Sequence, residues 1–147
     1  DPVREQAFTQ IAKIMALENP EEAARYAIQF PSSHGKQQAV GFAVSQWTLT
    51  DLESASRWAS ELPDETSRQT SLISVARSWA NFDPKAATEW ALTLESPDVR
   101  RTALLTAAGK WEESDPTPAA QWIGALTDGE LRQELRNQIS RALHQKG

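Results

Sequence analysis

Hydrophobic side chains in this chain recur at helical spacing, and the whole pattern returns every 32 residues. All six tryptophans fall into two columns of that period: Trp47, Trp79 and Trp111, and Trp58, Trp90 and Trp122. Columns of alanine (Ala23, Ala55, Ala87, Ala119) and of large apolar residues (Phe30, Leu62, Leu94, Leu126) keep the same register. With Met15 and Tyr26 one period before the first tryptophans, the sequence predicts four repeats, at about residues 4–32, 33–64, 65–96 and 97–128.

Each repeat is predicted to contain two helices. In the third repeat, apolar residues three and four apart predict a longer helix A at about residues 65–80 (Leu72, Val75, Ala76, Trp79) and a shorter helix B at about 84–94 (Ala87, Trp90, Ala91, Leu94). The two would form an antiparallel hairpin, which brings Trp79 and Trp90 close together. No segment alternates with the period of a strand for long enough to predict a sheet.

Two polar columns mark the helix starts. The column before helix B is Asn19, Asp51, Asp83 and Asp115, usually followed by proline, and the column before helix A is Ser32, Asp64, Ser96 and Asp128. Their side-chain oxygens can accept hydrogen bonds from free backbone N–H groups of the first helical turn. A metal or acid–base role is disfavoured, because copies of one column would lie about 10 Å apart in stacked layers.

One hairpin cannot enclose its apolar face, so neighbouring hairpins must stack into a continuous core. We therefore predict an all-α fold, a right-handed α-solenoid of stacked αα-hairpins that forms a single domain over residues 1–147. The last helix, at about 129–143, reads as a polar terminal cap, because it keeps an apolar stripe but carries Arg136 on it (Leu131, Leu135, Ile139, Leu143).

The first helix differs from its copies, because Ile14 and Leu17 add apolar side chains to its outer face. We expect a packing partner there: further repeats, another domain or a second copy of this chain. A slightly apolar surface without a partner is the alternative, since scattered exposed apolar residues are normal.

The stretch from Trp79 to Trp90 has the form W-x3-D-P-x2-A-x2-W. It is similar to 32-residue tandem repeats of uncharacterised bacterial proteins, and the helix–turn–helix unit resembles the tetratricopeptide class of α-solenoids. This resemblance covers about residues 4–143. It implies a protein that holds partner proteins or peptides along a concave groove.

Composition narrows the function further. The chain of 147 residues carries a net charge of −5, which argues against nucleic acid as a partner, and it has no apolar run long enough for membrane insertion. It lacks cysteine, and its two histidines, His34 and His144, have no partners nearby in sequence, so we predict neither a cofactor or metal nor an enzyme. Because the sequence begins with Asp1, we expect a piece of a longer protein, from the bacterial envelope, the periplasm or the cytoplasm.

Candidate binding residues come mainly from a basic column in the first turn of helix A, namely Lys36, Arg68, Arg100 and Arg132. A positive charge in the first turn interacts unfavourably with the helix dipole, so another interaction must compensate for it. One explanation is a hydrogen bond or salt bridge to a carbonyl or an acid of the adjacent repeat, such as Asp64 or Glu95. The other is a basic ladder that binds the carboxylates of an acidic peptide.

Other surface positions complete the sequence-based prediction. Phe42 is either an exposed binding residue or locally repacked, Arg77 is a further binding candidate, and we expect Thr70, Ser74 and Ser78 to face solvent. The tryptophan columns are interpreted as core rather than as a stacking platform for sugars or bases. The predicted function is a non-enzymatic scaffold that binds a protein or peptide; the alternative is a spacer or self-assembly module of a longer envelope or secreted protein.

Overall fold

The computed structural model describes residues 2–31 and 33–146, with side chains described as far as Arg141. Over these residues the protein is all-helical, as predicted. The longer helices, which we call A helices, are α1 (Pro2–Glu18), α3 (His34–Thr50), α5 (Glu65–Ala80), α7 (Pro97–Ser114) and α9 (Gly129–Lys146). The shorter B helices are α2 (Pro20–Ala27), α4 (Leu52–Glu61), α6 (Pro84–Ala91) and α8 (Pro116–Gly124).

The predicted helix boundaries of the third repeat are confirmed for helix A and need correction for helix B. Helix α5 covers the predicted range, whereas α6 ends at Ala91 rather than near residue 94. The chain beyond Ala91 tightens into a turn, because the amides of Thr93 and Leu94 bond to carbonyls only three residues back.

Polar residues cap the helices as predicted, with two exceptions. Asn19, Asp51 and Asp83 each accept a hydrogen bond from the amide three residues later, and so do Asp64, Ser96 and Asp128. Asp115 makes no such bond, because the residue three positions on is Pro118, which has no N–H. The predicted cap Ser32 lies outside the described residues, and Ser33 caps α3 by accepting from the Lys36 amide.

The chain forms two compact units, Asp1–Ser78 and Trp79–Gly147. In the first unit, α3 packs against both α1 and α2. Gly35 allows the closest approach: its amide donates to Oε1 of Glu5 at 2.7 Å, and a Cβ at this position would lie 2.6 Å from Cγ of Glu5. Both helices also bury alanines, whose small side chains allow helices to pack closely (Ala12, Ala16, Ala39, Ala43).

The expectation that Ser74 and Ser78 face solvent is wrong. Both are buried in the first unit, and Thr70 is half-buried. The Ser78 hydroxyl donates to the Ser45 carbonyl at 2.8 Å, and Oγ of Ser74 lies 3.1 Å from the Cβ position at Gly41. Ser78 can be buried because its hydroxyl has an acceptor on the neighbouring helix, and Ser74 because a serine is small enough to lie against Gly41.

The second unit has an apolar core in two clusters. Ala80, Ala87 and Ala107 pack with Trp79, and a larger cluster joins α7, α8 and α9. The members of that larger cluster are Ala108, Ile123 and Leu135 with Leu105, Trp122, Leu126, Leu131 and Ile139 around them. The predicted apolar stripe of the last helix is therefore covered, except that the side chain of Leu143 lies outside the described residues.

Each tryptophan of the first column meets one of the second column within its own repeat. The ring centroids are 5.6 Å apart for Trp47–Trp58, 5.7 Å for Trp79–Trp90 and 5.9 Å for Trp111–Trp122. Trp47 and Trp111 are buried, and the other four tryptophans are half-buried. The predicted proximity of Trp79 and Trp90 is confirmed. In the first repeat, Tyr26 holds the position of the second tryptophan column and packs against Phe8 and Phe30.

Candidate functional site

The three arginines of the predicted basic ladder make one identical contact. Nη1 of Arg68, Arg100 and Arg132 donates to the carbonyl of Leu62, Leu94 and Leu126, at 2.8, 2.9 and 2.7 Å respectively. These leucines lie at or just beyond the end of the preceding B helix, where carbonyls lack partners inside the helix and carry partial negative charge. This contact explains why the first turn of an A helix carries a cation.

The acids predicted as partners of the basic column, Asp64 and Glu95, do not accept the observed hydrogen bonds of its arginines. The Ser67 hydroxyl and amide bond to the Asp64 carboxylate and hold its pKa below the usual range, and the charges of Lys36 and Arg68 add to this effect. Lys36 is buried in the first turn of α3. Arg68 and Arg100 each direct the observed bond to a leucine carbonyl rather than to Asp64 or Glu95.

The remaining predicted binding residues do not gather with the ladder. Arg68 lies in the first turn of α5 and the exposed Arg77 in its last turn, about 13 Å further along the helix axis. Phe42 is half-buried in the middle of α3. The structure therefore distributes these side chains over both ends and the middle of the A helices instead of forming one site.

A polar groove of about 730 Å³ lies between α1 and the start of α3 in the first unit. Three glutamines line it, Gln6, Gln10 and Gln38, together with the charged Glu5 and Lys13 and the ring of His34 (Gln38 Nε2 to His34 Nε2, 3.1 Å). Carboxamides both donate and accept hydrogen bonds, so this surface can pair with peptide groups.

A second groove, of about 650 Å³, lies between α7 and α9 in the second unit. Gln133 donates to Oδ1 of Asn137 at 3.0 Å, and Gln138 also lines the groove. Arg101 forms an ion pair with Glu134 across it. The hydrogen bond from Arg101, and then its charge, lower the pKa of Glu134, and the same contact raises the pKa of Arg101.

The two grooves occupy the same positions of the repeat. Four lining residues of the first recur three periods later in the second: Glu5 and Arg101, Thr9 and Leu105, His34 and Glu130, Gln38 and Glu134. None of these eight residues is among the binding residues predicted from the sequence. The signal available in the sequence was a polar or charged side chain in both copies at three of the four positions, Leu105 being the exception.

The outer face of α1 exposes apolar side chains, as predicted from Ile14 and Leu17. Ile14 is 61% exposed and Leu17 69%, and Ile11, which the sequence analysis missed, is 49% exposed. Leu17 is not distinctive, because Leu49 at the same position of α3 is 56% exposed. A partner on this face stays a prediction.

The basic column begins one repeat earlier than predicted. Arg4 stands 32 residues before Lys36 and is exposed. It borders a cavity of about 300 Å³ that is also lined by Phe8, Phe30 and Pro31. Subtracting one more period from Lys36 would have found it.

Among residues 2–31 and 33–141, no group of three or more His, Cys, Asp or Glu side chains could hold a metal ion. His144, one of the two histidines considered from the sequence, lies outside the residues whose side chains are described. Within the described chain, no helix is both long enough and apolar enough to cross a membrane. Comparison of the chain with known protein families, curated proteins and solved structures found no match.

Proposed function

We propose that this protein is a helical-repeat scaffold that holds an extended segment of a partner protein in the grooves between consecutive A helices. The observation that carries the proposal is a groove that recurs between α1 and α3 and between α7 and α9 with four lining positions in common, and that carboxamides line in both places, although at different positions of the repeat. In this proposal the four repeats form one right-handed, tetratricopeptide-like solenoid, and the grooves are successive binding positions along it.

The size and the chemistry of the grooves favour a peptide segment. Volumes of about 650 and 730 Å³ fall within the range of ligand-binding clefts. Gln38, Gln133 and Asn137 can each bond to both the N–H and the C=O of an extended backbone. Such contacts bind the main chain of the peptide and do not distinguish its side chains. Specificity for a peptide sequence would come from charged neighbours such as Lys13, Arg101 and Arg141.

The basic ladder is a separate candidate site for an acidic peptide. Each of Arg68, Arg100 and Arg132 commits one N–H to a leucine carbonyl, and a guanidinium has further donors that could bind the carboxylates of an acidic peptide. Neither Lys36 nor these three arginines line the two grooves. Separate variants can therefore distinguish a peptide held by the grooves from one held by the ladder.

The test is selection of random linear peptides on the 147-residue chain, followed by affinity measurements on the selected peptides. Gln133→Ala combined with Asn137→Ala should weaken binding about tenfold, because each change removes one hydrogen bond of about 1 kcal/mol or less. Lys85→Ala with Glu89→Ala, on exposed positions of α6, is the matched control and should leave the affinity within about twofold.

Two results would contradict the groove proposal. Peptides that bind the groove variant as tightly as the wild type would place the site elsewhere. Peptides lost only on a folded Arg68→Glu/Arg100→Glu variant would assign the binding to the basic ladder.

The second candidate function is a spacer or assembly module of a longer protein. It is favoured by the exposed apolar face of α1, which has no counterpart in peptide binding by the grooves. Sedimentation of the chain at high concentration tests its self-associating form. A monomer that Ile14→Lys leaves unchanged would remove it.

A further inference from the structure

The outer face of α1 carries the positions that are covered in every other A helix. The column of Ile11 contains Ala43, Val75 and Ala107, all buried, and the half-buried Ile139. The column of Ala7 contains Ala39, Ser71, Ala103 and Leu135, all buried. Only in α1 are both positions exposed.

In the first unit, α1 packs against α3 on the face that carries Gly35. The Gly35 amide donates to Glu5, and the Thr9 hydroxyl lies 3.5 Å from the Gly35 carbonyl. The face of α3 that receives these contacts continues through Ala39 and Ala43, which are buried. A helix one repeat before α1 that packed on α1 in the same way would cover Ala7 and Ile11.

Arg4 gives an independent indication. In three later repeats, the arginine of this column donates to a carbonyl six residues earlier, at the end of the preceding B helix. Arg4 holds the same place in the first turn of α1 and is exposed. Its charge in the first turn of α1 is unfavourable for the helix dipole unless a B helix ends beside it.

We infer that a further αα-hairpin of the same repeat class packs on the outer face of α1, as the hairpin that immediately precedes α1 in the polypeptide. Its A helix covers Ala7, Ile11 and Ile14, and the last carbonyls of its B helix accept the Arg4 guanidinium. This inference goes beyond the peptide-binding proposal, because it concerns a packing partner of α1 rather than a bound peptide, and it shares only the groove edge at Val3 and Ala7 with that proposal.

The contact at Gly35 restricts the chemistry of that hairpin. A Cβ at Gly35 would lie 2.6 Å from Glu5 and 2.9 Å from Thr9, so this pair of side chains fits only against glycine. The corresponding residue of α1 is Val3, which has a branched side chain. The covering helix therefore cannot approach Val3 as closely as α1 approaches Gly35, and its side chains at these two positions pack differently from Glu5 and Thr9.

A second copy of this chain is a poorer occupant in a head-to-tail arrangement. The position that Thr9 holds in α1 is Asn137 in α9, and the position of Ala12 is Ser140, both exposed. Pairing this polar surface with Ile11 and Ile14 would bury polar groups against apolar side chains. Helix α9 matches the polar terminal cap that ends a repeat array, whereas α1 does not.

The experiment extends the full chain at its N-terminus with a copy of residues 65–96. That repeat suits the test, because the helix that follows it in this sequence carries Val99 at the position of Val3. Hydrogen exchange of the α1 amides is then measured by mass spectrometry in the extended and the unextended chain. We expect exchange in α1 to slow about tenfold or more on extension, because a covered helix opens less often.

Matched variants keep the result specific. In the extended chain, Ile11→Lys with Ile14→Lys should abolish the added protection, and Arg4→Met should lower the Tm although it has little effect on the Tm of the unextended chain. Equal exchange of α1 with and without the extension would overturn the inference. It would also be overturned if the unextended chain sediments as a dimer that Ile14→Lys dissociates, since a second copy would then be the occupant.

Discussion

The first and last A helices present equivalent positions to different surroundings. In α9, Leu135 is 1% exposed within the cluster of the second unit, while Asn137 and Arg136 are exposed. In α1, Ala7 holds the position of Leu135 and is exposed, as is Ile11. The comparison shows that the hydrophobic pattern of a repeat helix marks which faces can be covered, whereas the neighbouring hairpin decides which of them are.

The largest expected difference is in the free energy of unfolding lost when Leu135 or Ile11 is replaced by alanine. Leu135→Ala removes a fully buried side chain from the α7–α8–α9 cluster and should lower the free energy of unfolding by about 2–5 kcal/mol. Ile11→Ala should cost less than about 1 kcal/mol, because half of that side chain is already in solvent. Urea unfolding followed by tryptophan fluorescence measures both values, and equal losses would show that the Ile11 face of α1 is covered in solution.

The helices could be predicted from the sequence because local signals fix them. The caps Asn19, Asp51 and Asp83 bond as expected, and the exception at Asp115 follows from Pro118, which was visible in the sequence. The paired tryptophans followed from the period alone, because an antiparallel hairpin must bring the two columns together.

The environment of the polar positions could not be predicted in the same way. Ser74 and Ser78 look like surface residues, but their burial depends on the glycine and the carbonyl that α3 offers them. The grooves were missed for a related reason: the pairing of Arg101 with Glu134 depends on the offset between two helices. A period gives the positions that correspond, but it does not give which of them meet across the interface.

An intermediate effect should distinguish Arg68 from Arg4. Arg68→Met removes a charge-assisted hydrogen bond to the Leu62 carbonyl and should lower the free energy of unfolding by about 1–2 kcal/mol. Arg4→Met should change it by less than about 0.5 kcal/mol, since Arg4 is exposed. Methionine keeps much of the side-chain length, so thermal unfolding of the two variants compares the bond rather than the packing. A loss at Arg4 as large as that at Arg68 would mean that Arg4 already has a partner in this chain.

The smallest effect concerns the ion pair between Glu134 of α9 and Arg101 of α7. The residue of α1 that corresponds to Glu134 is the uncharged Gln6. The hydrogen bond from Arg101 keeps the pKa of Glu134 below its ordinary value of 4.5. The pair therefore stabilises the fold above the unfolded-state pKa, and this contribution is lost as the pH falls through the lowered folded-state pKa.

Arg101→Met should return the titration midpoint of the Glu134 carboxyl to its usual range, as measured by carbon NMR. The stability difference between the variant and the wild type should shrink between about pH 6 and pH 3, and it should stay small because Arg101 is exposed. An unchanged Glu134 midpoint in the variant would show that the groove between α7 and α9 is not closed by this pair in solution, which would leave both charges free to bind a peptide.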